Sequence, residues 1–343
     1  MTAVRSDRYQ RVSTLLAARS DGELAELTAT GRPNTVGVGG GTAVLDVEGV
    51  SVFVKRIPLT ERELAHSHST ANLFDLPVFC QYGIGGPSIN AWRELAANVI
   101  VTDGVLAGRT HLFPMLYHWR VLPGRSPVAA EHEDIDTVVA EQGDSPAVRA
   151  RLEALVAAPC SLVLFCEYIP YPLPDWLREN PVGKAATVER QFADIVTFLS
   201  NQELLHMDGH FGNIRSDGER IYLSDFGLAT SPHFELSSVE RDFVERHVTH
   251  DADYAAMRLV NWLVTGVCGM PTTTKAEFAA RNDFVSRCAA GRIPQDVPSV
   301  VATILARHAP AAAEMNAFYW KLFDGDFSAR YPTGRARVPQ VRG

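Results

Sequence analysis

His206–Gly227, HMDGHFGNIRSDGERIYLSDFG, is the stretch from which the rest of the chain is read. It offers Asp208, then Asn213 five residues later, then Asp225 after a hairpin. The hairpin's arms are Asn213-Ile214-Arg215 and Ile221-Tyr222-Leu223, and its turn is Ser216-Asp217-Gly218. This folds Asp225 back beside Asn213. Two oxygen donors on adjacent strand ends suit a hard cation such as Mg²⁺, which takes few protein carboxylates and keeps phosphate oxygens in its shell. Asp208, on the preceding loop, is left to accept a proton from a hydroxyl nucleophile. That is the division of labour phosphoryl transfer requires.

Toward the N-terminus the pattern alternates. Residues 34–57 read NTVGVGGG, TAVLDVEG and VSVFVKRI, with a turn signal at Glu48-Gly49, and predict an antiparallel meander of two or three strands. A nucleotide needs its phosphates cradled by backbone and countered by a lysine from a neighbouring strand. Gly37, Gly39, Gly40 and Gly41 at the first hairpin and Lys55 on the last strand are the candidates. A lone ammonium on a flexible stem positions poorly, so Lys55 calls for a carboxylate on a helix. Glu94, in the helix predicted over Ala91–Gly104, is favoured over Glu63, which follows Lys55 too closely to leave room for a full helix. The stretch between, Thr60 to Asn90, reads as polar and irregular and carries the Gly-rich YGIGGPS at 82–88. Ahead of the meander, residues 6–30 predict two short helices, with Ser20 and Glu23 at capping-box spacing.

Beyond the Glu94 helix, residues 112–122 and 161–169 predict strands, separated by an insertion at 121–158. Within it, 131–144 holds Glu131, Glu133, Asp134, Asp136, Glu141 and Asp144 and no Lys or Arg. After Pro170 the chain turns helical. Phe192, Ile195, Val196 and Leu199 give a buried stripe over a helix at 187–205. More helix follows to about residue 325, and the tail YPTGRARVPQVRG is expected to be loose. A β-rich first half and a helical second half predict an α+β protein with two lobes, 31–169 and 170–343, behind an N-terminal extension, 1–30, and with a cleft between the lobes.

The spacing His206-x-Asp208-x₄-Asn213, followed by Asp225-Phe226-Gly227, resembles the catalytic loop and metal-binding motif of the protein-kinase-like superfamily. That superfamily includes eukaryotic-type protein kinases and the aminoglycoside and choline phosphotransferases. The resemblance covers roughly residues 34–270. It implies a two-lobed fold with ATP and Mg²⁺ in the cleft, Asp208 as catalytic base and Asn213 and Asp225 as metal ligands. It also implies the Gly cluster and Lys55 on the phosphates, Lys55 tethered by Glu94, and the main chain of Glu167-Tyr168-Ile169 against adenine. His210, two residues after the base, resembles the aminoglycoside and choline branch, whereas Asp225-Phe226-Gly227 is of the protein-kinase type. Met207 stands where protein kinases usually carry arginine, so control through a phosphorylated activation segment is not expected. No Ala-Pro-Glu follows Gly227. The expectation is an ATP- and Mg²⁺-dependent phosphotransferase with a small-molecule hydroxyl acceptor. A protein Ser/Thr kinase and a nucleotide-binding pseudokinase scaffold are the alternatives.

Composition narrows the classes. With 343 residues, 46% hydrophobic and 21% charged, the chain is ordinary globular material rather than collagen-like or disordered. Against 32 Lys+Arg stand 40 Asp+Glu, a net charge of −8, which argues against a nucleic-acid partner. Most of the surplus lies in 131–144, a segment that either recruits a cationic acceptor or is simply a solvated acidic surface. Five cysteines without a Cys-x-x-Cys pair, no apolar signal core at the N-terminus and no bilayer-length apolar run lead to the expectation of a cytoplasmic protein with no membrane partner. His247, His250, Asp251 and Asp253 carry a metal-like pattern but read as a helix start in which one aspartate braces the catalytic loop. His66-Ser67-His68 reads as surface.

Overall fold

A computed structural model describes residues 3–37, 40–124 and 133–332. The alternating run forms a ladder of β1 (Arg32–Gly37), β2 (Gly40–Val47) and β3 (Val50–Leu59), paired antiparallel in sequence order. Val47 faces Val50 across the Glu48-Gly49 turn, where both residues have positive φ, 49° and 80°. Glycine takes the second of these without a Cβ penalty. β4 (Leu116–Pro123) and β5 (Cys160–Glu167) complete a five-stranded antiparallel sheet of order β1-β2-β3-β5-β4.

β5 is buried at every residue, which explains its continuous apolar run. Leu162 and Leu164 cluster with Trp92 and Leu95 of α4 (Ala91–Leu106). Val163 and Phe165 face the other way, in the cluster that takes in Val12, Leu16 and Leu24 of α1 (Ala3–Ala17) and α2 (Asp21–Ala29). The Ser20–Glu23 capping box that starts α2 is formed. β4 begins at Leu116 rather than 112, since Pro114 has no N–H for a ladder, and runs to Pro123, so the insertion opens only at Gly124.

The stretch at 60–90 is not a polar surface loop. It holds α3 (Glu61–Ala65) and a 3-10 turn (Val78–Gln81). Phe74, Leu76, Cys80 and Ile89 build a separate small core with α5 (Ile135–Glu141) and α6 (Pro146–Val156). Glu63 is its tie point. Its carboxylate caps α3 at Thr60, accepts from the Ala91 amide that opens α4 (2.8 Å), and pairs with fully buried Arg151 of α6 (2.9 Å).

The second half is helical apart from a small sheet, β6 (Tyr171–Pro172), β7 (Ile214–Ser216) and β8 (Ile221–Leu223). Around it pack α7 (Leu173–Arg178), α8 (Pro181–Asn201), α9 (Ser238–Arg246), α10 (His250–Gly266), α11 (Lys275–Ala289) and α12 (Ser299–Phe323). α8 starts six residues before the expected 187, because Asn180 caps it through the Gly183 amide and Pro181 sits at its first position. The tail is not loose at its start. Tyr331 is buried, donating to Asp253 (2.6 Å) beside Thr249; 333–343 and Glu131 lie outside the described residues. Antiparallel strands in one part and helices in the other make the chain a mixed, α+β protein. Among the described residues no helix is long and apolar enough to cross a membrane.

Candidate active site

The segment opened on above closes on itself. Leu205 and Thr230 exchange backbone hydrogen bonds (2.8 and 2.9 Å), drawing its ends together. β7 and β8 pair as the expected hairpin, with Ser216 in the strand opposite Ile221 rather than in the turn and Asn213 in the turn that precedes it, and the Ser224 amide and hydroxyl both donate to the Asn213 carbonyl at 2.9 Å. His206 bridges loop to hairpin. Its Nε2–H faces the Ser224 carbonyl (3.1 Å), while Nδ1 accepts from the Asp208 amide (3.2 Å). Asp251, in the first turn of α10, accepts from the amides of His206 (2.6 Å) and Met207 (3.0 Å), so it braces the loop rather than joining a metal cluster. Two non-glycine residues hold left-handed backbone here, Met207 at φ 67° and Asp225 at φ 66°. Each costs roughly 1–2 kcal/mol, a kind of strain that persists where surrounding contacts fix it and that clusters at working sites.

Asp225 meets Lys55, 170 residues away, at 2.7 Å, and the same ammonium meets Glu94 at 2.7 Å. Lys55 sits mid-sheet, opposite Thr42 and Leu164, and is buried. Burial alone would lower its pKa, but the Asp225 and Glu94 carboxylates outweigh that and hold it well above the usual range. Burial pushes Glu94 up to about 7, against Lys55 and with some repulsion from Asp225. Asp225 keeps its carboxyl below the usual range, because the Lys55 charge overcomes its burial. Glu94, not Glu63, is the partner of Lys55.

Asp208 lines the same cavity. Asn213 Nδ2 donates to its carbonyl (2.9 Å) and to Oδ2 (3.1 Å). Burial and then the Asp225 charge push the Asp208 carboxyl up to about 7. His210 Nε2 is 3.6 Å from Asp208 Oδ2, beyond a hydrogen bond, and Nδ1 caps the Phe211–Asn213 turn through the Gly212 amide (3.0 Å). Burial and the nearby Arg258 hold His210 down to about 4, so at neutral pH it is an uncharged neighbour of Asp208.

Lys55, Glu94, Asp208, His210, Asn213 and Asp225 all line one cavity of about 480 Å³. Leu164, Cys166, Glu167, Tyr168 and Ile169 line it too. The Glu167 amide is committed to the Met115 carbonyl (2.8 Å) and its carboxylate to Arg5 of α1 (2.5 Å), so Glu167 braces the turn and its N–H is not on offer to a ligand. Ile169 gives its carbonyl to Arg215 Nε (3.0 Å). Of the glycines, Gly37 and Gly40 close the β1–β2 pair, Gly41 faces Val36 and Arg56, and Gly39 lies outside the described residues.

Sequence reasoning gave no role to Gly83, Gly85 and Gly86, which also line the cavity. A Cβ on Gly83 would stand 2.9 Å from Asp208 Cγ, so this second Gly-rich loop is seated directly on Asp208. The YGIGGPS run was visible, but its partner lies 125 residues on. Asn213 and Asp225 fit a hard cation. Asn213 spends its amide nitrogen on Asp208, which leaves the carboxamide oxygen, and the Asp225 side chain is 40% exposed toward the cavity. Among the described residues no group of three His, Cys, Asp or Glu side chains offers a softer site. No protein-family model matches the chain, and no curated protein matches it in sequence.

Proposed function

We propose that the protein is a two-lobed, protein-kinase-like phosphotransferase that moves the γ-phosphate of ATP, with Mg²⁺, to the hydroxyl of a small molecule. One observation carries the reading. A sheet lysine paired to a helix carboxylate, a hairpin carboxylate and carboxamide, and a loop carboxylate converge on a single cavity from segments up to 170 residues apart. This is the part list of phosphoryl transfer, which depends on positioning and charge neutralisation.

In this reading Lys55, held by Glu94, faces the phosphates, and Asp225 with Asn213 would hold the metal. Mg²⁺ would neutralise charge developing on the transferred group. Asp208 accepts the proton of the acceptor hydroxyl, and its raised pKa keeps it a usable base near neutral pH. The Asn213 bond to Oδ2 holds the carboxylate in orientation. The apolar end at Leu164 and Cys166, with the Tyr168 main chain, takes the base of the nucleotide. The loop at 82–88 covers Asp208 from the acceptor side, which favours a small acceptor over an extended peptide.

The test uses the full chain with γ-labelled ATP and Mg²⁺. Asp225→Asn is expected to lose Mg²⁺-dependent nucleotide binding. Asp208→Asn keeps nucleotide binding and loses about 10²–10⁴-fold in turnover, the usual share of a general base. Full turnover in Asp208→Asn removes the assignment, and absence of nucleotide binding in the unaltered protein removes the function.

A further inference from the structure

A second cavity, of about 640 Å³, lies where the 109–112 segment after α4, the second half of α8 and the residue before β8 meet. It shares no residue with the cavity that holds Asp208. Hydrogen bonds tie its three walls together. Arg109 Nη1 donates to Gln202 Oε1, just past the end of α8 (3.1 Å), and the Leu112 carbonyl accepts from the Leu223 amide of β8 (3.0 Å). Gln191 of α8 spends its carboxamide on the third wall. It accepts from the Ile221 amide (2.7 Å) and donates to the Glu219 carbonyl (3.2 Å), the two residues that flank Arg220. Leu112 and Phe198, both buried, add apolar surface to the lining.

The charge of this cavity is one-sided. Arg109, Arg190 and Arg220 line it against a single carboxylate, Asp194. Arg190 and Asp194 stand one turn apart on α8, yet none of these four side chains is in an ion pair among the described residues. Carboxylates close by in sequence are spent elsewhere. Asp217 accepts from the Tyr222 hydroxyl (2.7 Å) and the Arg220 amide (2.8 Å), and Glu189 pairs with Arg307 (2.5 Å) and His308 (2.7 Å). His111 also lines the cavity, and burial, then surrounding cations with Arg220 among them, hold it below its ordinary range. Three arginines around one hollow run against a chain whose net charge is −8.

A guanidinium fork matches the paired oxygens of a phosphate or carboxylate, and cavities of roughly 300–1,000 Å³ are the size that takes a small molecule. We propose that this second cavity is a ligand site of its own, and that it takes a small organic molecule bearing two or more phosphate or carboxylate groups. The arginines hold the oxyanions, and Leu112 and Phe198 pack against the carbon frame. The site stands apart from whatever chemistry Asp208 performs.

The experiment titrates fructose 1,6-bisphosphate, citrate, fructose and spermidine into the full chain at physiological salt, without nucleotide or Mg²⁺. One or both anions are expected to bind saturably and at least about tenfold more tightly than fructose or spermidine, and the better of the two tells phosphate from carboxylate. Arg190→Gln and Arg220→Gln are each expected to weaken that anion at least about threefold, and the double variant at least about tenfold. Asp194→Asn, which removes the one carboxylate, is expected to tighten it. Arg178→Gln makes the same change of charge on a residue that lines neither cavity, and is expected to leave binding as it was. Thermal melts report that each variant is folded. No saturable binding of either anion, indifference to the double variant, or an equal loss in Arg178→Gln overturns the site.

Discussion

Replacing Gly83 by alanine puts a methyl group where Asp208 already is. The new Cβ would overlap Asp208 Oδ1 outright and stand 2.9 Å from Cγ, against about 3.5–4.0 Å for an ordinary carbon contact, so the two must part by at least about 1 Å. Neither side yields freely. The loop is pinned by Gln81 Nε2 to the Leu228 carbonyl (3.1 Å), by the Tyr82 hydroxyl on His247 (2.5 Å) and by Gln142 Nε2 on the Ile84 carbonyl (3.1 Å). Asp208 is pinned by Asn213. A displacement of about 1 Å at a catalytic group costs roughly 10²-fold in rate, or about 2.7 kcal/mol of barrier. Under the proposed phosphotransferase function, Gly83→Ala is therefore expected to lower kcat about a hundredfold with nucleotide affinity little changed, measured as γ-phosphate release beside binding of a fluorescent ATP analogue. Overpacking also lowers stability by about 1–3 kcal/mol, visible as a fall in Tm. Turnover within threefold of the unaltered protein, with no fall in Tm, would refute the claim that this loop is seated on Asp208.

Two further outcomes concern the scaffold. His247 is buried, with Nδ1–H on the Phe243 carbonyl (2.6 Å) and Nε2 accepting from Tyr82, and burial holds it down to about 3. The unfolded chain titrates near 6.5 and the folded one far lower, so this neutral histidine's stability is complete above about 6.5 and is lost as pH falls toward 3, at up to about 1.4 kcal/mol per pH unit. Urea titrations between pH 7 and 5 should show that slope, shallower in His247→Gln; an unchanged slope in the variant counts against it. Arg93, 1% exposed, bonds the Thr70 carbonyl (2.6 Å), Gln81 (3.2 Å) and Glu240 of α9 (2.6 Å), fixing the helix that carries Glu94. Arg93→Met leaves a buried carboxylate behind and is expected to cost about 3–5 kcal/mol in urea unfolding, partly recovered by adding Glu240→Gln. A loss below about 1 kcal/mol contradicts the clamp.

Local patterns carried much of this in advance. The hairpin at 214–223, the alternation at 34–57 and the Ser20–Glu23 cap are short-range chemistry, and each forms where its residues stand, the hairpin turn starting one residue later than expected, at Asp217. The pairing of Lys55 with Glu94 was also legible, because a flexible ammonium needs a carboxylate to fix it and Glu94 lies on a full helix just before the next strand. The stretch at 60–90 was misread because its apolar residues follow neither a period of 2 nor one of 3.6. They pack on α5 and α6, which come much later in the chain. Glu167, expected to offer its main chain to a nucleotide, instead ends β5 with its amide and carboxylate turned inward to Met115 and Arg5, partners 52 and 162 residues away.

The sequence by itself determined which groups exist to do chemistry: Asp208, Asn213 and Asp225 at fixed spacing around a hairpin, and one lysine on a strand. Spacing along a chain constrains only neighbours within a turn or two. The tertiary structure alone decided what stands against those groups. It seats Gly83 on Asp208, brings Lys55 between Glu94 and Asp225, and keeps the acids of 133–144 out of the cavity. Close approach and burial belong to groups that meet through space. They exist only once helices and loops more than a hundred residues apart have packed.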